Sequence, residues 1–399
     1  MRRTTCRGCE GERLECFLDL GQMPLAGGFL PGPQAIATEK TYPLPVHVCL
    51  DCGLVQILEV VDPEVLFQDY SFSSSTVGPL VTHFEAYARW LHETLGCRSV
   101  VEFGCNDGIL IAPLQGLGIK ACGVDVSTNI TEMARAKGLD VVTGYFDAAT
   151  ASAIRDRMGP VDVVTGSNAF AHNDHPERIL EAARVVLDPR GHICLEVMYA
   201  GDLVDQVQWD TLYHEHLTFY SLTTLSRLLD RFGFKVVDAL RLPMHGGSLR
   251  VAASADPQAT PSPAVAELLA AEAKAGLADP STWRAFGRHV SRKIAVVRET
   301  LGRLKSSSRI WGYGAAGKAT LWVNACQMDY LEAMVDASPL RAGRLMPGTH
   351  TAIVPPSELR LRPPDYIFVT AWNYADLIRS KEEWFPGFWV TPLPDLRVF

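Results

Sequence analysis

The 399-residue chain lacks features that would have set its class at once. No apolar run reaches the ~18 residues of a membrane span. Met1-Arg2-Arg3-Thr4-Thr5-Cys6 has no apolar signal core. A cytoplasmic protein without a membrane partner is therefore expected. Positive charge is scarce as well. Lys and Arg number 37 against 45 Asp and Glu, for a net charge of −8. Without a broad basic face, nucleic acid is not an expected partner. What the chain has is length enough for two or three domains and a hydrophobic content of 47%, enough for substantial cores.

Ten cysteines in such a chain read as metal ligands or buried thiols before disulfides. Cys6-Arg7-Gly8-Cys9 and Cys49-Leu50-Asp51-Cys52 are two Cys-x-x-Cys knuckles. Together they offer four thiolates to one tetrahedral zinc ion. Four cysteines leave no open coordination position, so the expected role is structural. The long interval between the knuckles, with Gly27-Gly28, Pro31, Gly32 and Pro33, reads as an insertion that loops out. Cys16 lies outside both knuckles and reads as a bystander.

Ser99-Val100-Val101-Glu102-Phe103-Gly104-Cys105-Asn106-Asp107-Gly108 organises the middle of the chain. A β-favouring run meets an acidic residue, a glycine loop, and then Ile109-Leu110-Ile111 opening a helix. Gly104 and Gly108 let the backbone approach a ligand closely. The spacing is not the Gly-x-Gly-x-x-Gly that cradles a pyrophosphate, and it suits a ligand without phosphates. Ala121-Cys122-Gly123-Val124 reads as the next strand. It ends at Asp125, about 20 residues after the loop, where an acidic residue can hold ribose hydroxyls. The bland alternative is a Rossmann-like turn with no ligand. The pattern resembles the first motif of class I S-adenosylmethionine (SAM) methyltransferases. There the loop, here with Asn106 at its centre, passes under the methionine part of the cofactor.

Strand and helix then alternate as an α/β sheet requires. Val141-Val142, Val161 to Gly166 and His192 to Val197 read as strands, and Pro176 to Leu187 as a helix. Ser167, Asn168 and His172 follow a strand's carboxyl end, where such sheets bind ligands. Leu222 to Phe232 is amphipathic. Lys235 to Leu242 and Ser248 to Ala253 look like a closing antiparallel pair.

Tyr213-His214-Glu215-His216 packs three titratable groups and a phenol into four residues. His216 could act as a base near neutral pH, Glu215 could orient a histidine or carry a proton, and Tyr213 could donate to an oxyanion. A metal site is a poor match without i, i+4 histidines, and a polar surface loop stays open. His245-Gly246-Gly247-Ser248 reads as a second polar turn at the same sheet end, its glycines suggesting close backbone approach or only a structural turn. Asp69-Tyr70-Ser71-Phe72-Ser73-Ser74-Ser75-Thr76 reads, from its residues alone, as a linker rather than a loop over a substrate.

Asp256 to Pro263 reads as a boundary, and Ala264 to Leu304 as helical with a break near Pro280. Arg309 to Lys318 starts another strand–loop–helix with Gly312-x-Gly314-x-x-Gly317. Ala319 stands where a P-loop needs Ser or Thr for magnesium, which argues against an ATPase. Strands at 333–336, 352–354 and 366–370 would complete a small α/β unit. Its glycine loop and Lys318 could bind a phosphate, or the glycines could serve tight packing alone.

Taken together, these motifs resemble one family over essentially the full length: the SAM-dependent C-methyltransferases of deoxysugar and antibiotic biosynthesis. The resemblance rests on the four cysteines, Glu102 to Gly108, Asn168 with His172, Tyr213 to His216, His245 to Arg250, and Gly312 to Lys318. It implies a zinc-binding domain (1–78), a class I Rossmann-like SAM-binding domain (79–256), and a C-terminal Rossmann-like α/β domain that binds a nucleotide sugar (257–399). It further implies methylation at C-3 of a TDP-linked 4-keto-deoxyhexose through an enolate. His216 would be the general base with Glu215 assisting. Tyr213, His172 and Tyr70 would serve the enolate or sugar. Glu102, Gly104, Asn106, Gly108, Asp125 and Asn168 would hold SAM. His245, Gly246 and Lys318 would hold substrate. Where relatives carry Tyr-x-Tyr-x-Ser-Ser, this chain has Tyr70-Ser71-Phe72-Ser73-Ser74, one phenol fewer, which marks a different substrate or a burden shifted to Tyr70. An O- or N-methyltransferase is the leading alternative, and a nicotinamide oxidoreductase using Gly312 to Gly317 lacks a convincing ribose acid. The exact sugar, the stereochemistry and the oligomeric state, a monomer included, are left open.

Overall fold

The computed structural model describes residues 1–67, 73–76 and 78–399. Three sheets follow one another along the chain. The first begins with β1 (Leu14–Pro24) antiparallel to β2 (Thr41–Cys49), followed by β3 (Val55–Ile57). The interval between the knuckles is therefore mostly a long hairpin, not the loop expected from its glycines and prolines. The strand signal was Leu44, Val46 and Val48, an alternation that buries one face. The glycines and prolines occupy the hairpin tip. Helix α1 (Pro63–Phe67) leads toward the serine-rich stretch.

Helix α2 (Gly78–Leu95) buries Leu80, Phe84, Tyr87, Ala88 and Leu91, one stripe at helical spacing. The central sheet then alternates: β4 (Ser99–Phe103), α3 (Ile111–Gly116), β5 (Lys120–Asp125), α4 (Thr128–Ala136), β6 (Val141–Thr143), α5 (Ala148–Met158), β7 (Val161–Ser167), α6 (Pro176–Val186) and β8 (Leu187–Met198). After α7 (Ala200–Asp205), β9 (Thr218–Phe219) and α8 (Leu222–Arg231), strands β10 (Lys235–Leu242) and β11 (Ser248–Ser254) close the sheet. Its order is β10-β11-β8-β7-β4-β5-β6. Strands β4 to β8 run parallel, and β11 is antiparallel to both neighbours. This is class I methyltransferase topology. The order reverses between β4 and β7, so their carboxyl ends open the crevice where such sheets bind ligands.

Strand β9 does not join this sheet. It pairs with β3 of the N-terminal hairpin, two residues after His216. Helices α9 (Pro263–Ala275) and α10 (Pro280–Leu304) follow. Trp283 and Phe286 of α10 pack on Phe17 of β1, with ring centroids 5.6 and 6.4 Å away. The last unit contains β12 (Ile310–Tyr313), α11 (Gly317–Ala325), β13 (Met334–Val335), β14 (Ile353–Val354), α12 (Pro356–Leu361), β15 (Tyr366–Val369), α13 (Ala375–Lys381), β16 (Phe388–Thr391) and β17 (Arg397–Val398). Its order is β14-β13-β12-β15-β16-β17, and the last two strands went unread in the sequence. One apolar core joins the hairpin, α10 and this third sheet through Leu44, Val46, Trp209, Trp283, Trp322 and Phe368. No helix of the described residues is long and apolar enough to cross a membrane.

Candidate active site

The sulfurs of Cys6, Cys9, Cys49 and Cys52 lie within 4.8 Å of one another. Cys6 and Cys52 are 3.5 Å apart and Cys9 and Cys49 3.6 Å, close to the ~3.8 Å edge of a tetrahedron with ~2.3 Å zinc–sulfur bonds. Hydrogen bonds from Cys49 and Cys52 pull the Cys6 thiol down to about 2, while bonds to Cys49 and Cys6 push Cys52 up. Ionising all four together requires a cation among them, and zinc fits the set. Cys16 lies on β1, exposed and outside the cluster.

Beyond β4, Gly104 takes a left-handed φ of +65°, and a Cβ there would stand 2.4 Å from the Ala169 Cβ. Gly108 is also left-handed, at +80°. The loop is tied to β5 because Asn106 N–H donates to Asp125 Oδ2 at 2.9 Å, while Ser127 N–H donates to Oδ1 at 2.9 Å. Glu102 is 1% exposed, and its carboxyl is pushed well up by burial, then by Asp125, Glu196 and Asp107. Its Oε2 has no hydrogen-bond partner among the described residues, nor has Asn168 Oδ1. Asn168 holds a left-handed φ of +55° at the end of β7. A close-approach glycine, unpartnered buried acceptors and several carboxylates in one crevice fit the ammonium, sulfonium and ribose hydroxyls of SAM.

The described part of the serine-rich stretch is docked on this loop rather than free of it. Ser73 Oγ donates to Asp107 Oδ2 at 2.8 Å, Ser75 donates to the same oxygen, and Ser74 N–H donates to Asn106 Oδ1 at 2.9 Å. Burial opposes ionisation of Asp107, but Ser75, Ser73 and Lys137 hold its carboxyl below its ordinary range. Tyr70 lies outside the described residues.

His216 sits at the seam of all three units. Its Nδ1 is 2.7 Å from the Thr211 carbonyl oxygen. A carbonyl only accepts, so Nδ1 carries the proton and Nε2 keeps its lone pair. Burial, then His172, and beyond it His245 and Lys318, hold the ring well below the usual histidine range. Its centroid is 3.9 Å from Tyr213 and 5.1 Å from His172. His172 stacks on Phe67 at 5.8 Å, and burial pushes it down to about 4, so it stays a neutral imidazole. Burial pushes the Glu215 carboxyl up to about 7, while the Gly27 N–H from the hairpin tip pulls the other way. His214 is not part of this group. Its Nε2 donates to the Pro43 carbonyl at 3.1 Å and its ring meets Tyr42 edge-on, so it pins the hairpin.

From the third unit, Gly317 comes close enough that a Cβ there would lie 3.5 Å from the Tyr213 hydroxyl. Lys318 at the start of α11 stands over the Trp372 ring, 5.1 Å from its centroid, and 3.5 Å from Asn373 Oδ1. A cleft of about 600 Å³ runs between the units, lined by Arg241, His245, Gly246, Trp372 and Asn373. His245 is held at a left-handed φ of +56°, a strained conformation for a residue with a Cβ. Burial and then Lys318 push its ring down to about 4.

Two groups escaped the sequence. His83 Nε2 meets Glu196 Oε2 at 2.8 Å, and Arg250 Nε donates to Glu196 Oε1 at 2.6 Å, beside Asn168. Asp210, fully buried, accepts indole N–H bonds from Trp322 and Trp372. Arg250 closes the His245 to Arg250 stretch, but no local motif marks His83, Glu196 or Asp210, because their partners are 54 to 162 positions away.

A class I sheet whose crevice fits SAM, beside a four-cysteine module, defines a SAM-dependent methyltransferase. Comparison with known proteins narrows the class. Three family models match: a zinc binding domain over residues 6–67, a methyltransferase domain over 82–239, and a C-methyltransferase C-terminal domain over 243–394. The chain is 32% identical over 403 aligned positions to the C-methyltransferase NovU of Streptomyces niveus, covering 98% of this chain and 96% of that one. It is 26% identical to a ubiquinone biosynthesis O-methyltransferase of Burkholderia mallei, over 41% of this chain and 76% of the relative. Magnesium protoporphyrin IX methyltransferase from Synechocystis, solved with bound SAH, aligns over 44% of this chain and 82% of its own at 16% identity and a TM-score of 0.35, too distant to bear on chemistry. The chain belongs to the SAM-dependent deoxysugar C-methyltransferase family.

Proposed function

We propose that this enzyme methylates C-3 of a TDP-linked 4-keto-deoxyhexose through an enolate, with the chain divided at 78 and 256 into zinc, SAM and nucleotide-sugar domains. The supporting observation is His216: a neutral imidazole whose Nε2 lone pair meets no donor among the described residues, near Lys318 and His172. A sugar C–H is not nucleophilic, but the carbon beside a ketone can be deprotonated. His216 Nε2 takes the C-3 proton. The C–H electron pair becomes the C3–C4 double bond, and the carbonyl pair moves onto O-4. Tyr213 and the neutral His172 donate to that oxygen. Glu102, Gly104, Asn106, Gly108, Asp125 and Asn168 would hold SAM, which would supply an electrophilic methyl for the enolate carbon, the ketone returning as the carbon takes it. Glu215, its carboxyl near 7, exchanges protons beside His216. Lys318 and the N-terminus of α11 bind the pyrophosphate, and His245 and Gly246 border the sugar.

The test is deuterium exchange on a TDP-4-keto-2,6-dideoxyhexose in heavy water with S-adenosylhomocysteine present. Enzyme-dependent exchange at C-3, lost in His216→Asn, is expected. No exchange across amino and non-amino 4-keto sugars, with methyl transfer to oxygen or nitrogen instead, would overturn the proposal.

A further inference from the structure

Asp210 is a buried carboxylate that the mechanism does not use. Asp210 lies in the 3-10 turn Trp209–Thr211 and has no exposed surface. Its Oδ2 accepts from Trp322 Nε1 at 2.9 Å and from Trp372 Nε1 at 2.7 Å. Both indoles belong to the C-terminal unit, Trp322 on α11 and Trp372 on the 3-10 turn Trp372–Tyr374. Two N–H donors on one carboxyl oxygen hold its turn against that unit from two directions. Packing reinforces the same joint, since the Trp209 and Trp322 rings meet edge to face at 4.6 Å.

Each end of this joint touches the site. On one side, the next residue, Thr211, offers the carbonyl that fixes the His216 ring and its tautomer. That carbonyl can move only with the turn, which is closed by Thr211 N–H to Gln208 O and Leu212 N–H to Trp209 O. On the other side, the Trp372 ring that donates to Asp210 also lies beneath the Lys318 ammonium. An anion drawing Lys318 toward itself changes the cation–π contact on that ring. From Lys318 through Trp372 and Asp210, and along the chain from Asp210 to Thr211 and so to His216, every contact has an ordinary length.

We infer that Asp210 is a positioning residue that couples occupancy of the Lys318 site to the placement of His216. The inference rests on the nucleotide-sugar reading above. It explains how binding the remote nucleotide can be used at the reacting carbon: the contacts that hold the base in register run through Asp210 to the unit that carries Lys318. Asp210 touches no reacting atom and acts through the Thr211 carbonyl.

The experiment titrates the full-length zinc-loaded protein with TDP alone and follows the His216 ring and the Trp372 indole N–H by NMR. In the unaltered enzyme both signals should move. In Asp210→Leu, which keeps the bulk but has no acceptor, the Trp372 signal should still move and the His216 signal should not. With the sugar nucleotide, kcat should fall about 10- to 100-fold while KM changes little, because orientation rather than binding is lost. Trp372→Phe removes one donor and leaves the other, so its His216 signal should show the same decoupling in milder form even if Asp210→Leu does not fold. His216 moving equally in the unaltered enzyme and a folded variant, or staying still in the unaltered enzyme while Trp372 moves, overturns the coupling alone. TDP leaving Trp372 unmoved in the unaltered enzyme overturns the nucleotide reading and the coupling with it.

Discussion

The chain contains two strand–glycine loop–helix units, and they look alike until their neighbours are compared. After β4, Gly104 is left-handed because Ala169 leaves no room for a Cβ. After β12, Gly314 is left-handed at +99°, with Ala371 2.6 Å from where its Cβ would be. Both loops bring bare backbone to the end of a parallel sheet. Their surroundings differ: carboxyl groups crowd the first, with Asp107 paired to Lys137 and Glu196 to Arg250, and a lysine flanks the second. The first is ringed by Glu102, Asp107, Asp125 and Glu196, and the second opens on Lys318. Glycines set how closely a ligand can approach, and the flanking charges set which ligand it is. An acidic crevice suits a sulfonium and an ammonium; a lysine at a helix start suits a phosphate.

The sharpest way to break this comparison is to remove the residue on which both loops converge. His216→Asn should lower kcat by about 10²- to 10⁴-fold, the usual worth of a positioned base. SAM and TDP affinities, measured separately by calorimetry, should not change. Near-normal turnover would separate the loops from any shared chemistry.

A substitution in one loop should affect one ligand only. Gly104→Ala forces a Cβ into a left-handed position against Ala169, a cost of about 2–4 kcal/mol. SAM binding should weaken by at least tenfold while TDP binding holds. Weakening of both ligands together would show that the loops are not independent.

The reciprocal change is Lys318→Ala. KM for the sugar nucleotide should rise about tenfold, the worth of a charge-assisted contact, with SAM affinity unchanged. The salt dependence of KM should shrink as well, because a cation–anion contact has been removed.

The smallest effect concerns Glu215, at the seam. Its folded carboxyl titrates near 7, above the ordinary 4.5, because burial disfavours the charge. The folded state therefore holds a proton that the unfolded chain has lost. Stability from this group is full below about 4.5 and is lost as pH rises through about 7. The melting temperature should fall between pH 5 and 8, by the equivalent of about 1–3 kcal/mol. Glu215→Gln should flatten that slope. An unchanged slope would place the titration elsewhere.

Much of the molecule was readable as local pattern. The central strands and helices followed from apolar periodicity, and the antiparallel pair 235–254 from alternation around a glycine turn. The knuckles, both glycine loops and the Tyr213–His216 stretch stood out by spacing and residue type. The hairpin 14–49 was missed because proline and glycine at its tip outweighed the alternation in β2. Strands β16 and β17 are short and at a sheet edge, so their signal was weak.

By itself, the sequence determined which chemistry each segment could offer: four thiolates, a glycine loop with acids, a histidine beside a phenol, a glycine loop with a lysine. Only the tertiary structure decided which of these meet. Pairing of β9 with β3 joins the zinc module to the chain just after His216, and the Thr211 carbonyl chooses that ring's tautomer. Of two histidines separated by one residue, His216 becomes the candidate base and His214 a pin on Pro43. Glu196 and Asp210 acquire roles through partners far along the chain. A residue's type is a local property, but its protonation, tautomer and direction are set by whatever packs around it in space.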